Sequence, residues 1–198
     1  MQKHLKLKIS LLKGFSFQTK TEHTFSFRSG QMKGLSHLEE EVKKIYTKIN
    51  MLTPEAIDME LMAASLKIWL HFERRPSFVF CVNGSYSMVI DKRLNKKQQW
   101  EEFGHELCHV IKHYGNQFDM HKLFRELQEY QANSFMYHFC VPSFMLQKLN
   151  LPSLQSEAIK LIGDTFNVTY SFAATRLEMF RRKSFAFALY ENTLKQIN

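Results

Sequence analysis

The sequence predicts an α+β fold, mostly helical, with a small sheet placed before a long central helix. Three observations predict it. Apolar residues recur at helical spacing over most of the 198-residue chain. Two short runs rich in β-branched and aromatic residues, 78–82 and 86–90, flank Asn83-Gly84, the pair that most strongly marks a hairpin turn. A helical pattern then carries Gly104-His105-Glu106-Leu107-Cys108-His109, with Glu101 and Glu102 in its first turns and Gly115 as its stop.

Residues 1–31 stand apart from this regularity. They hold Lys3, Lys6, Lys8, Lys13, Lys20 and Arg28 against Glu22 alone, so most of the net charge of +8 lies in this segment. It shows no sustained helical or strand period and reads as a basic, disordered extension. Arg28-Ser29-Gly30 can be encoded as a purine-rich ribosome-binding sequence just ahead of Met32, so translation is expected to start at Met32. The alternative is a basic arm that orders on a partner. The remainder is nearly balanced in charge, which argues against a nucleic-acid-binding surface.

From Ser36 the elements follow in order. Ser36-His-Leu-Glu39 is a capping box for a helix from about 37 to 49, with Leu38, Val42, Ile45, Tyr46 and Ile49 on one face. Thr53-Pro54 is expected to cap a second helix reaching about Leu66, and a strand follows over 67–72. The hairpin and the His105 helix come next. Asp119 is a plausible N-cap for a long helix through Leu123, Leu127, Tyr130 and Phe135 that ends at Val141-Pro142. From Leu154 to about Arg182 the pattern is helix, turn at Asn167-Val-Thr169, helix.

Composition narrows the class. With 44% hydrophobic residues the chain can fill the core of one domain, or of one domain with an appendage. Cys81, Cys108 and Cys140 are an odd number without C-x-x-C spacing, so neither a disulfide framework nor a zinc finger is indicated, and a reducing cytoplasm is the expected compartment. No run of about 18 apolar residues and no signal-peptide cleavage pattern is present, so membrane spanning and secretion are not expected.

The chemistry lies in the H-E-x-x-H pattern. Histidines four residues apart share one face of a helix with Cβ atoms about 5–6 Å apart, within reach of one metal ion. Glu106 projects about 100° round the helix from His105, beside that ion, where it can take a proton from water. This is the pattern of a hydrolytic zinc site. A third ligand is expected on the following antiparallel helix, where a rise of 1.5 Å per residue leaves Glu126 and Glu129 both open. Asn133, one turn beyond Glu129, is placed to orient an imidazole.

Gly104-His-Glu-Leu-Cys-His109, followed by Glu129-Tyr-Gln-Ala-Asn133-Ser-Phe135 and Val141-Pro142, resembles the ImmA/IrrE family of metallo-endopeptidases. The likeness extends from about Leu35 to Arg182 and departs from the usual pattern at Met136, where alanine is common. It implies zinc held by His105, His109 and Glu129, with Glu106 as the catalytic base. It also implies a prophage or mobile-element setting. Residues 32–150 are expected to form the zincin-like metallopeptidase domain, and 151–198 a helical, helix-turn-helix-like subdomain packed on it. The implied partner is a helix-turn-helix repressor, whose cleavage relieves repression.

Other residues have simpler readings. His113 continues the His105 stripe one turn too far to ligate and suits the helix end. Gly115 stands where a metzincin would carry its third histidine, which excludes that class. Cys108 is expected as a small buried thiol, His121 at the surface and His138 in the core. Tyr86, Tyr114 and Tyr137 are candidates to stabilise an oxyanion, and the strand 86–90 is expected to align an extended peptide. The start of the last helix, Tyr170-Ser-Phe-Ala-Ala-Thr, lacks the polar side chains that read DNA, so this unit is expected to pack or to dock the repressor. Arg181-Arg182-Lys183 reads as a charged helix end. Two rival classes are a DNA-associated regulator and a zinc-bearing module that binds the repressor without cutting it.

Overall fold

A computed structural model describes residues 34–112 and 121–197. The expected extension 1–31, the Asp119 cap, and His113, Tyr114 and Gly115 lie outside these residues. The element order is α1 (His37–Lys48), α2 (Met59–Ser65), β1 (Ile68–Glu73), β2 (Phe78–Val82), β3 (Ser85–Asp91), α3 (Lys96–Lys112), α4 (Lys122–Cys140), α5 (Ser143–Leu146), α6 (Gln155–Thr165) and α7 (Tyr170–Ile197). Among the described residues, no helix is long and apolar enough to cross a membrane.

Both halves of the α1 capping box form: the Ser36 N–H donates to Glu39 Oε2 at 2.6 Å, and the Glu39 N–H donates to Ser36 Oγ at 3.4 Å. The box points Val42 and Tyr46 into the core, where the Tyr46 hydroxyl donates to the Phe139 carbonyl at 2.9 Å. Thr53-Pro54 starts only a 3₁₀ turn over Pro54–Ala56, because Ile57 and Asp58 are extended. Asp58 instead caps α2, accepting from the Leu61 N–H at 2.7 Å. The expected helix is thus divided at the better N-cap residue, whose carboxylate satisfies a free N–H of the first turn.

Asn83 and Gly84 both have positive φ, 51° and 78°, as a two-residue hairpin demands. The strand order is β1-β3-β2, with β3 parallel to β1 and antiparallel to β2. This corrects the expectation that the strand 86–90 aligns a peptide. Both of its edges are already paired, so among the described residues only β1 and β2 have an open row of backbone groups.

One core joins all the helices. Trp100, Phe103, Phe135 and Phe139 stack between α3 and α4, and Ala158, Ile162, Phe166, Val168, Phe172 and Leu177 continue the same cluster into α6 and α7. Gly163 permits the close approach at the α6–α7 turn, since a Cβ there would lie 2.6 Å from the Tyr170 ring. Two features exceed the sequence reading: the short α5, and an α7 that runs on past Arg182 to Ile197.

A polar chain crosses this core. Arg176, 1% exposed, donates from Nε to the Val141 carbonyl at 3.1 Å and from Nη2 to Ser143 Oγ at 2.6 Å. Ser143 Oγ in turn donates to Glu39 Oε1 at 2.5 Å, and Lys183 pairs with Glu39 Oε2. Four side chains from α1, α5 and α7 thereby satisfy each other, as burial of charge requires.

Candidate metal centre

The antiparallel packing of α3 and α4 builds the site, and Gly104 makes that packing close. A Cβ at Gly104 would lie 2.6 Å from Cys140 Sγ and 3.4 Å from the Phe139 ring, so a side chain there would have to displace the Cys140 thiol or the helix that carries it. The next residue, His105, opens the H-E-x-x-H pattern.

The structure brings His105, His109 and Glu129 together, with one ligand atom from each within 4.8 Å of the others. His105 Nε2 and His109 Nε2 are 3.3 Å apart, Glu129 Oε2 is 3.2 Å from His105 Nε2, and Glu129 Oε1 is 3.6 Å from His109 Nε2. Four-coordinate zinc with nitrogen and oxygen ligands at 2.0–2.2 Å separates neighbouring ligand atoms by about 3.3–3.6 Å. The donor set fits such an ion in both spacing and chemistry. The side chains of His105 and His109 are 17% and 6% exposed, whereas that of Glu129 is 45% exposed, so the group opens to solvent on the α4 side. Glu126, left open by helix geometry, is turned away and pairs with Lys122 at 3.7 Å.

Glu106 is 8% exposed and forms no hydrogen bond among the described residues. Burial pushes its carboxyl up to about 8, and the neighbouring Glu102 and Glu129 charges add to that. A dication held by the three donors would oppose this shift. Glu106 and His105 line a cavity of about 410 Å³ walled by α3, α4 and the start of α7.

Asn133 also lines this cavity. Tyr137 is on the cavity wall with its ring 4.5 Å from that of Phe172, while Tyr86 packs against the core. Cys108 is buried, and desolvation pushes its thiol up to about 12, as suits a packing residue. His138 is half-buried with Nδ1 3.0 Å from the Ser134 carbonyl, and burial lowers its pKa. His121 lies at the surface and caps α4, its Nδ1 accepting from the Leu123 N–H at 3.3 Å. The sequence reading missed Glu102 and the α7 residues Ser171, Phe172 and Thr175 on the cavity wall. Glu102 was detectable, since it lies three and four residues before His105 and Glu106 on one helical face.

A phage-like element PBSX protein, XkdA, from Bacillus subtilis (strain 168) is 53% identical over 149 residues, 75% of each chain. An uncharacterized protein of the same strain, YqaB, is 39% identical over 148 residues, 75% of this chain and 86% of its own. No solved structure matches the chain. Residues 58–178, from the cap of α2 into α7, match the IrrE N-terminal-like domain of peptidase family M78, and the chain belongs to that family.

Proposed function

We propose that the protein is a zinc-dependent endopeptidase that cuts a helix-turn-helix transcriptional repressor. The observation that carries the peptidase reading is the convergence of two imidazole nitrogens and one carboxylate beside a buried glutamate without a hydrogen-bond partner. His105 and His109 would hold the metal through Nε2, and Glu129 through its carboxylate. When bound, zinc supplies Lewis acidity, polarising a peptide carbonyl and making an attacking water more acidic. Glu106 takes that water's proton at its carboxylate as the oxygen adds to the carbonyl carbon. It then delivers the proton to the amine nitrogen as the C–N bond breaks.

An extended substrate segment would add to an open sheet edge, β1 or β2. The repressor reading is supported by the likeness to ImmA/IrrE proteins and by the name of the XkdA relative, a protein of a phage-like element. A folded repressor exposes an extended segment only by local opening, whose cost docking elsewhere must offset. The α6–α7 unit, which borders the cavity, is the natural dock.

The test is incubation of the cognate repressor with zinc-loaded wild type and with Glu106→Gln. Fragments with wild type alone support the peptidase. Binding without fragments by both supports a zinc-bearing interaction module. Salt-sensitive binding of operator DNA supports a DNA-associated regulator.

A further inference from the structure

The cavity beside Glu106 has a mixed lining. Met136 and Phe172 form apolar walls, while Glu102, Asn133 and Thr175 supply polar groups. Glu101, Glu102 and Glu106 all line it, and no lysine or arginine does so among the described residues. Glu101 is already engaged: it accepts from the Thr169 N–H at 2.6 Å and faces Lys97, which is itself bound to Asp164 and the Gly163 carbonyl. A dication at the three-donor group would be balanced by Glu129 and Glu106. The Glu102 carboxylate is then left without a compensating cation, in a cavity of about 410 Å³ into which the buried, unpartnered Glu106 also opens.

We infer that this cavity is a specificity subsite for a lysine or arginine side chain adjoining the bond to be cut, with Glu102 as the residue that selects it. The inference rests on the peptidase reading above. A long basic side chain matches the lining at both ends: its methylene stem lies along Met136 and Phe172, and its cation meets Glu102. A substrate glutamate there would face Glu102 and Glu106 with like charge. Glutamine or norleucine would leave the half-buried Glu102 carboxylate without a cation to meet it, so the pocket favours a basic side chain over either.

The test uses the zinc-loaded full chain and a proteome-derived peptide library, with cut positions read by mass spectrometry. Wild type should favour Lys or Arg over Glu on one side of the cut bond by about tenfold to a hundredfold, the range of one charge-assisted hydrogen bond. Glu102→Lys should shift the preference to Asp and Glu. Glu55→Lys, an equal charge change at an exposed position outside the cavity lining, should leave it as in wild type. Cutting without basic enrichment, or a preference unmoved by Glu102→Lys, overturns the subsite. If wild type cuts no library peptide, the peptidase reading is decided by the cognate repressor as above, and peptide retention on immobilised wild type tests the subsite separately. Retention of Lys- or Arg-bearing peptides that Glu102→Lys abolishes upholds the subsite, and equal retention of basic and acidic peptides overturns it.

Discussion

Glu39→Gln tests the polar chain that ties α1 to α5 and α7. Burial pushes the Glu39 carboxyl up, but donation from Lys183, Ser143 and Ser36 outweighs this and holds it at about 2, against an ordinary value of 4.5. A pKa lowered in the folded state stabilises the protein above the unfolded value, and that stabilisation is lost as pH falls toward the folded value. The shift corresponds to about 3 kcal/mol at neutral pH, at about 1.4 kcal/mol per unit. Glutamine keeps the shape and one acceptor oxygen but removes the charge, so the variant should be less stable by about that amount. Urea unfolding followed by tryptophan fluorescence should show the gap between wild type and Glu39→Gln nearly complete at pH 7 and about halved near pH 3. Taking the difference at each pH cancels the other groups that titrate in both proteins. A gap that stays constant from neutral pH to pH 3, or widens, refutes the linkage.

His105→Ala, His109→Ala and Glu129→Ala should each lose zinc in elemental analysis, while Glu126→Ala keeps it; the reverse result for the two glutamates moves the third ligand. Glu106→Gln should retain zinc and lose cleavage by at least about a hundredfold, the scale of a general base. Gly104→Ala should raise local helix propensity by about 1 kcal/mol yet lower stability overall, because the overpacked Cβ costs about 1–3 kcal/mol. Cys140→Ala, which removes the sulfur 2.6 Å away, should recover part of that loss in a double-mutant cycle of thermal melts. Arg176→Met should destabilise by about 1–3 kcal/mol, since it leaves the buried Val141 carbonyl and the Ser143 hydroxyl without their donor while Lys183 still pairs with Glu39.

The sequence by itself determined the features that depend on near neighbours. His105, Glu106 and His109 share a helical face because their spacing is close to the helical repeat. Ser36 with Glu39, and Asn83 with Gly84, specify a helix start and a hairpin within four residues. By helix spacing alone Glu129 was legible only as one of two glutamates, because less than a turn separates them and the crossing of α3 and α4 decides which one faces the imidazoles. That crossing depends on what Gly104 meets on Cys140 and Phe139, which no local pattern encodes. The pairing order that makes β3 central was likewise hidden, since a hairpin signal says which strands are joined and nothing of where β1 inserts. Glu39, Ser143 and Arg176 meet across more than a hundred positions, and Glu102 meets the face of α7 only after the chain has folded back. Local spacing dictates which side chains leave one element on the same side, whereas long-range packing dictates which element stands opposite them.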